Sequence, residues 1–253
     1  MRIFLTVLFA LVFDVYCHAI IDNEIDNSIQ IHSDPDEKID LSEPHEWVKL
    51  TKVPPTNIYH DKGSIIEIEC EALGTPIPEV QWVPGNVVRE NNAVMFSGPS
   101  TLVKVRSVLI VERLKHTKTF SCVATAAGKQ VIASTTVHTK KIETSINDVT
   151  QMRYEPRKPK IIYNYSLYLE TVGSTILLPC KIAPNRLKIE KIWLDSSGNV
   201  ISGENSRFKI NSSGDLIIFD LKWDDMGAYK CVAENSIGRD AADTFVYPAL
   251  NDD

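Results

Sequence analysis

Residues 214–235 read GDLIIFDLKWDDMGAYKCVAEN, and this stretch decides the fold. Leu216, Ile218 and Leu221 sit at core positions, and Tyr229 stands two residues before Cys231, with Gly227 and Asp225 ahead of it. Upstream, residues 115–129 read KHTKTFSCVATAAGK. This segment repeats the Cys-Val-Ala core at Cys122, but His116, Lys118 and Phe120 stand where the later copy has Asp225, Gly227 and Tyr229.

Working outward, each copy has an earlier partner: Cys70 lies 52 residues before Cys122, and Cys180 lies 51 before Cys231. A tryptophan follows the first cysteine of each pair, Trp82 after 12 residues and Trp193 after 13. Four cysteines alone allow three pairings. A unit of Cys, Trp, Cys written twice at this spacing matches the immunoglobulin sandwich, where cysteines on strands B and F bridge two sheets and a strand C tryptophan packs on the bridge. The repeat therefore pairs Cys70 with Cys122 and Cys180 with Cys231, each closing a loop that stabilises a small domain by roughly 4 kcal/mol. Period-two patterns agree: Ile66, Ile68, Cys70 and Ala72 share one side of a strand, as do Ile176, Leu178, Cys180 and Ile182. The expected fold is all-β, two tandem immunoglobulin-like sandwiches of I-set or C2 type with one B-to-F disulfide each.

The second copy resembles the I-set subclass through GSTILLPC, Trp193, RFKI, GDLIIFDL and DDMGAYKCVAEN. The resemblance implies a tyrosine corner at Tyr229, whose hydroxyl bonds to upstream backbone, and a pairing of Asp225 with Arg207. Both roles are structural. In the first copy Phe120 fills the space without the hydrogen bond, so that corner is expected to be looser and held by Leu109, Val111 and Leu114.

Arg2, an apolar run from Ile3 to Phe13 and the ending YCHA mark residues 1–19 as a secretory signal peptide. The run is shorter than the roughly 20 residues that span a bilayer, so no membrane anchor is expected, and the mature chain is expected to be secreted and extracellular. Residues 20–46 form an acidic arm with nine acids and one base, a formal −8 against −6 for the whole chain, which leaves +2 for the rest. Such an arm is expected to be disordered, and a nearly neutral remainder argues against nucleic-acid binding. The first domain is assigned to residues 47–139, a Pro-containing linker to 140–158, the second domain to 159–249 and a tail to 250–253. Part of the linker is expected to be ordered against a domain or a partner.

No catalytic constellation, metal-ligand spacing or phosphate-binding loop is present, so neither an enzyme nor a cofactor or metal is expected. Asn164 in NYS and Asn211 in NSS are glycosylation acceptors by motif. Several apolar residues lie beyond what the cores need and are candidate ligand contacts: Ile162 and Tyr163, Ile217 and Phe219, Phe245 and Tyr247. The alternative is that these strands pack against the linker or the first domain. Trp47 and Trp223 read as local packing anchors.

WVKLTKVPPT, IEIECE, VQWV, KPKIIY, LPC, GDLII, KWDDMGAYKC and the ending DTFVYPALNDD together resemble one family from Trp47 to the end of the chain. It is the insect neural/ectodermal development factor or imaginal morphogenesis protein-Late family, secreted proteins of two immunoglobulin domains that bind insulin-like peptides. The resemblance implies capture of insulin-like peptide hormones and damping of growth signalling. A helical peptide with an apolar face calls for a hydrophobic interface on the sheets bordering the linker, or for sheet-edge pairing. The other class open to this fold is an adhesion or immune-recognition protein, and a homodimer stays open.

Overall fold

The computed structural model describes residues 46–61, 64–84, 101–112, 114, 116–139, 156–202 and 206–250. The signal peptide and, apart from Glu46, the acidic arm lie outside them, as do linker residues 140–155. Fifteen strands and one short 3₁₀ turn, Trp223–Asp225, make up the described structure.

The first sandwich runs β1 (Trp47–Lys52), β2 (Asn57–His60), β3 (Ile65–Thr75), β4 (Glu79–Pro84), β5 (Leu102–Glu112), β6 (Lys118–Ala126) and β7 (Lys129–Thr139). One layer is a four-stranded sheet in the order β2-β7-β6-β4. The other layer, β1-β3-β5, is held by a ten-residue antiparallel register from Ile65↔Glu112 to Gly74↔Val103. Ile68, Cys70 and Ala72 alternate into the core as a half-buried strand requires. Gly74 is needed for close approach, because a Cβ there would meet the Trp47 carbonyl oxygen at 2.5 Å.

The second sandwich runs β8 (Ile161–Thr171), β9 (Ile176–Leu178), β10 (Cys180–Ile182), β11 (Glu190–Leu194), β12 (Phe208–Ile210), β13 (Leu216–Ile218), β14 (Gly227–Asn235) and β15 (Gly238–Ala249). Pro179 falls between β9 and β10, where the chain changes sheets: β9 joins β12-β13-β9, and β10 pairs with β8. A proline cannot donate to a ladder, which suits a break at that point. The bridges are Cys70–Cys122 and Cys180–Cys231, one in each sandwich.

The two sandwiches share a sheet. β8 pairs along one edge with β10 and then, in parallel, with β15; its other edge pairs antiparallel with β5 of the first domain, from Leu102↔Leu169 to Ser107↔Tyr163. The result is one eight-stranded sheet, β1-β3-β5-β8-β15-β14-β11, with β10 attached to β8. A bulge at Ser166 shifts the register, and the Ser166 hydroxyl donates to the Lys104 carbonyl. Buried residues of both domains, among them Val103, Val105, Tyr165, Tyr168 and Val246, form one continuous core. The apolar character of β8 is thus largely explained by the first domain, the second of the two readings the sequence left open.

Candidate functional site

Apart from the two cores, the feature that stands out is the face of the shared sheet opposite the buried side of β8 and β15. Tyr168 and Val246 are buried, and their neighbours Leu167, Leu169, Phe245 and Tyr247 are only half-buried. Directly opposed residues on neighbouring strands share a face, so the registers define rungs across the sheet. One rung runs Lys49, Leu73, Lys104, Leu167, Phe245, Ala228 and crosses six strands. The next runs Leu102, Leu169, Tyr247. Trp223 extends it, its ring T-shaped against Tyr247 at 6.1 Å between centroids. The face is apolar on the second-domain side and carries Lys49 and Lys104 on the first-domain side. Lys104 makes no ion pair among the described residues.

Polar links fix the seam beside these rungs. The Arg106 Nε donates to the Glu69 carboxylate at 2.6 Å and its Nη1 reaches Asn164 Oδ1 at 3.4 Å. Lys52 pairs with the same Glu69 at 2.9 Å. Burial pushes the Glu69 carboxyl up, but these two cations outweigh it and hold it below the usual range. At the other end of β8, the Thr101 hydroxyl donates to the buried Glu170 carboxylate across the two domains. Tyr163 meets Tyr165 edge-on at 6.0 Å, Tyr165 meets Tyr168 at a tilt at 5.7 Å, and burial drives all three phenols well above their ordinary pKa.

Only part of the expected contact set comes together here. Phe245 and Tyr247 lie on the rungs. Ile217, on β13, and Phe219, just after it, lie on the three-stranded layer of the second sandwich and do not share this face. Tyr163 packs against the core beside Tyr165, which leaves it little free surface, and Ile162 is half-buried on β8. Leu102, Leu167 and Leu169 were missed because their significance depends on a register between two domains, which no period within one strand reveals. Trp47, at the start of β1, lies under the Lys49 ammonium at 5.8 Å.

The acceptor asparagines differ. Asn164 is 2% exposed, and its side-chain amide donates to the Tyr165 and Asp243 carbonyls. A glycan needs that same nitrogen in solvent, so in the folded domain Asn164 does not present an acceptor, contrary to the expectation from its motif. Asn211 is half-buried in the turn between β12 and β13, where its Oδ1 accepts from the Asp215 N–H and the Ser213 hydroxyl.

The structural residues of the second domain sit in one network. Arg207 donates two hydrogen bonds to the Asp225 carboxylate, at 2.7 and 2.9 Å, and the Tyr229 hydroxyl donates to the Asp225 carbonyl at 3.1 Å. Burial pushes the Asp225 carboxyl up, but Arg207 and the Lys222 N–H outweigh it and lower its pKa. Gly227 has a φ of 144°, and a Cβ there would lie 2.5 Å from the Ser196 Cβ, which accounts for glycine at this step of the motif. In the first domain Phe120 packs with Leu109, Leu114 and Trp82 around Val111, Ile68 and Val137. Trp193 donates its indole N–H to the Gly214 carbonyl at 3.0 Å; that of Trp82 is buried with no partner among the described residues.

No group of three His, Cys, Asp or Glu that could hold a metal occurs among the described residues. No helix among them is long and apolar enough to cross a membrane.

Comparison with known proteins matches residues 160–247 to the immunoglobulin I-set domain. The chain is 37% identical over 238 residues to the neural/ectodermal development factor IMP-L2 of Drosophila melanogaster, covering 91% of this chain and 87% of that protein. It is 26% identical to the zwei Ig domain protein zig-4 of Caenorhabditis elegans over 74% of each. The crystal structure of the neural ectodermal development factor IMP-L2 superposes with a TM-score of 0.71 at 39% identity, over 82% of this chain and 97% of that one.

Proposed function

The chain belongs to the family of the neural/ectodermal development factor IMP-L2, and from that premise we propose that it is a secreted protein that captures insulin-like peptides and lowers their free concentration. Membership of this family and the immunoglobulin fold point to a non-enzymatic binding protein. The observation that carries the finer reading is the apolar patch of Leu102, Leu167, Leu169, Phe245 and Tyr247, which spans the seam between β5 and β8. A peptide helix with an apolar stripe can lie across Leu167, Leu169, Phe245 and Tyr247, with acidic residues on its flank directed toward Lys49 and Lys104. Because the shared sheet is formed before the ligand arrives, little ordering is needed on binding. Sequestration then follows mass action, rising with binder concentration over Kd.

Calorimetry of the intact protein with an insulin-like peptide tests this, with an expected Kd tighter than about 1 μM. Leu167→Asp with Phe245→Asp should weaken it at least about a hundredfold, by placing charge in an apolar interface. Phe219→Asp, on the other sheet, should leave it unchanged. Absence of measurable binding would favour adhesion or immune recognition; equal loss in both variants would move the site off this face.

A further inference from the structure

Two stretches of chain distant in sequence meet at the end of the seam remote from the apolar rungs. Pro156-Arg157-Lys158-Pro159-Lys160 leads into β8, and Asn185-Arg186-Leu187-Lys188 lies between β10 and β11. Hydrogen bonds tie them: the Asn185 amide donates to the Arg157 carbonyl at 3.0 Å, the Asn235 amide to the same oxygen at 2.7 Å, and the Ala183 N–H to the Lys160 carbonyl at 2.9 Å. With Ile65, Glu67, Ile110 and Glu112 of the first domain, residues 156–160 and 183–186 line a groove of about 670 Å³.

Four bases, Arg157, Lys158, Lys160 and Arg186, and two acids, Glu67 and Glu112, line it in a chain whose formal charge is −6. Arg157 forms a two-point pair with Glu112 at 2.7 and 3.3 Å, and Lys160 pairs with Glu67 at 2.6 Å. These pairs are solvent-accessible, so each contributes only about 0–1 kcal/mol and a polyanion can compete for the bases. Lys158 and Arg186 are exposed. Pro156 and Pro159 fix φ on either side of Arg157-Lys158, so the spacing of the bases is set before a ligand binds.

We infer that this basic groove binds a sulfated polysaccharide. Short runs of lysine and arginine attract such polyanions through their local field. The groove is concave, where a membrane would need protruding bases, and no aromatic ring lines it, where single-stranded nucleic acid would need a stacking surface. The site is separate from the apolar face, so a chain held on an extracellular polysaccharide keeps that face open.

The test is retention of the full-length protein on immobilised heparin. Elution is expected above about 0.15 M salt, the physiological ionic strength, and desulfated heparin should not compete. Lys158→Glu with Arg186→Glu should weaken binding at least tenfold, whereas Lys209→Glu with Lys222→Glu, an equal change of net charge elsewhere, should leave it within twofold. Failure of wild-type retention, equal loss in the two variants, or tighter binding to phosphatidylserine vesicles or single-stranded DNA than to heparin overturns the assignment. Competition by desulfated heparin overturns it without any variant, so a misfolded substitution cannot shield it.

Discussion

The turn ahead of Cys231 is latched by charge and hydrogen bonds, and the turn ahead of Cys122 by apolar packing, yet each closes a disulfide-bridged sandwich of the same plan. In the second domain Arg207, Asp225 and Tyr229 fix the corner with directional contacts, and Gly227 lets the chain pass close to Ser196. In the first, Phe120 leans on Leu109, Leu114 and Val111, and the Lys118 ammonium lies 5.3 Å from the Phe120 ring. The corner's job is to turn the chain, and either kind of contact does it once the disulfide and strand C tryptophan are in place. The kind of contact determines how each domain responds to pH and substitution. The first domain also relies on its neighbour, since β5 gains a partner strand from β8.

The largest test of that reliance is Tyr168→Ala at the seam. Tyr168 is fully buried in the core both domains share, and removing a large aromatic there should cost about 3–5 kcal/mol. Urea unfolding followed by tryptophan fluorescence should still show one transition, because Trp82 and Trp193 sit in coupled sandwiches; two separated transitions would break the picture of a shared core.

Asp225→Ala comes next. It leaves Arg207 without its carboxylate partner, and a loss of about 2–4 kcal/mol is expected, discounted from a fully buried pair because the arginine is partly exposed. The pH dependence has a definite sign. A carboxyl with a lowered folded pKa contributes stability that is complete above its unfolded value, about 3.9, and is lost as pH falls through the folded pKa. Asp215 behaves alike: burial raises its pKa, but the Lys181 ammonium and Cys180 N–H outweigh it. Acid should therefore weaken the second domain, and Asp225→Ala should flatten the stability profile on its acid side when followed by thermal melts.

The smallest effects sharpen the contrast between corners. Tyr229→Phe deletes the bond to the Asp225 carbonyl and should cost about 1 kcal/mol. Phe120→Tyr, which restores the hydroxyl to the first domain, should stay within about 0.5 kcal/mol of the parent, because His116 stands at the Asp225 position there. A gain comparable to the loss at Tyr229 would show that the first corner holds a ready acceptor.

The two sandwiches and the disulfide partners were legible in the sequence, because Cys and Trp spacings are local consequences of strand period and turn length, and the polar latch was legible through the resemblance of residues 207–231 to the I-set pattern. The shared sheet was not. Val103, Val105, Tyr165 and Tyr168 read as ordinary strand residues, and nothing in their alternation says that one strand's partner belongs to another domain. The candidate face suffered for the same reason: Phe245 and Tyr247 were visible as apolar surplus, whereas Leu102, Leu167 and Leu169 acquire meaning only through the β5–β8 register. Ile217 and Phe219 were surplus as well, but on the other layer. Asn164 carried a valid acceptor motif, and only its position between β5 and β10 shows the amide turned inward.

The pairing of β5 with β8 also bears on how the chain comes off the ribosome. Translation completes β7 at Thr139, but the strand that covers Leu102–Ser107 ends at Thr171. Until it emerges, the nascent first domain presents hydrogen-bonding groups of β5 that another nascent copy could capture. Order of synthesis thus sets a window for misassembly, and it closes when β8 arrives from the same chain.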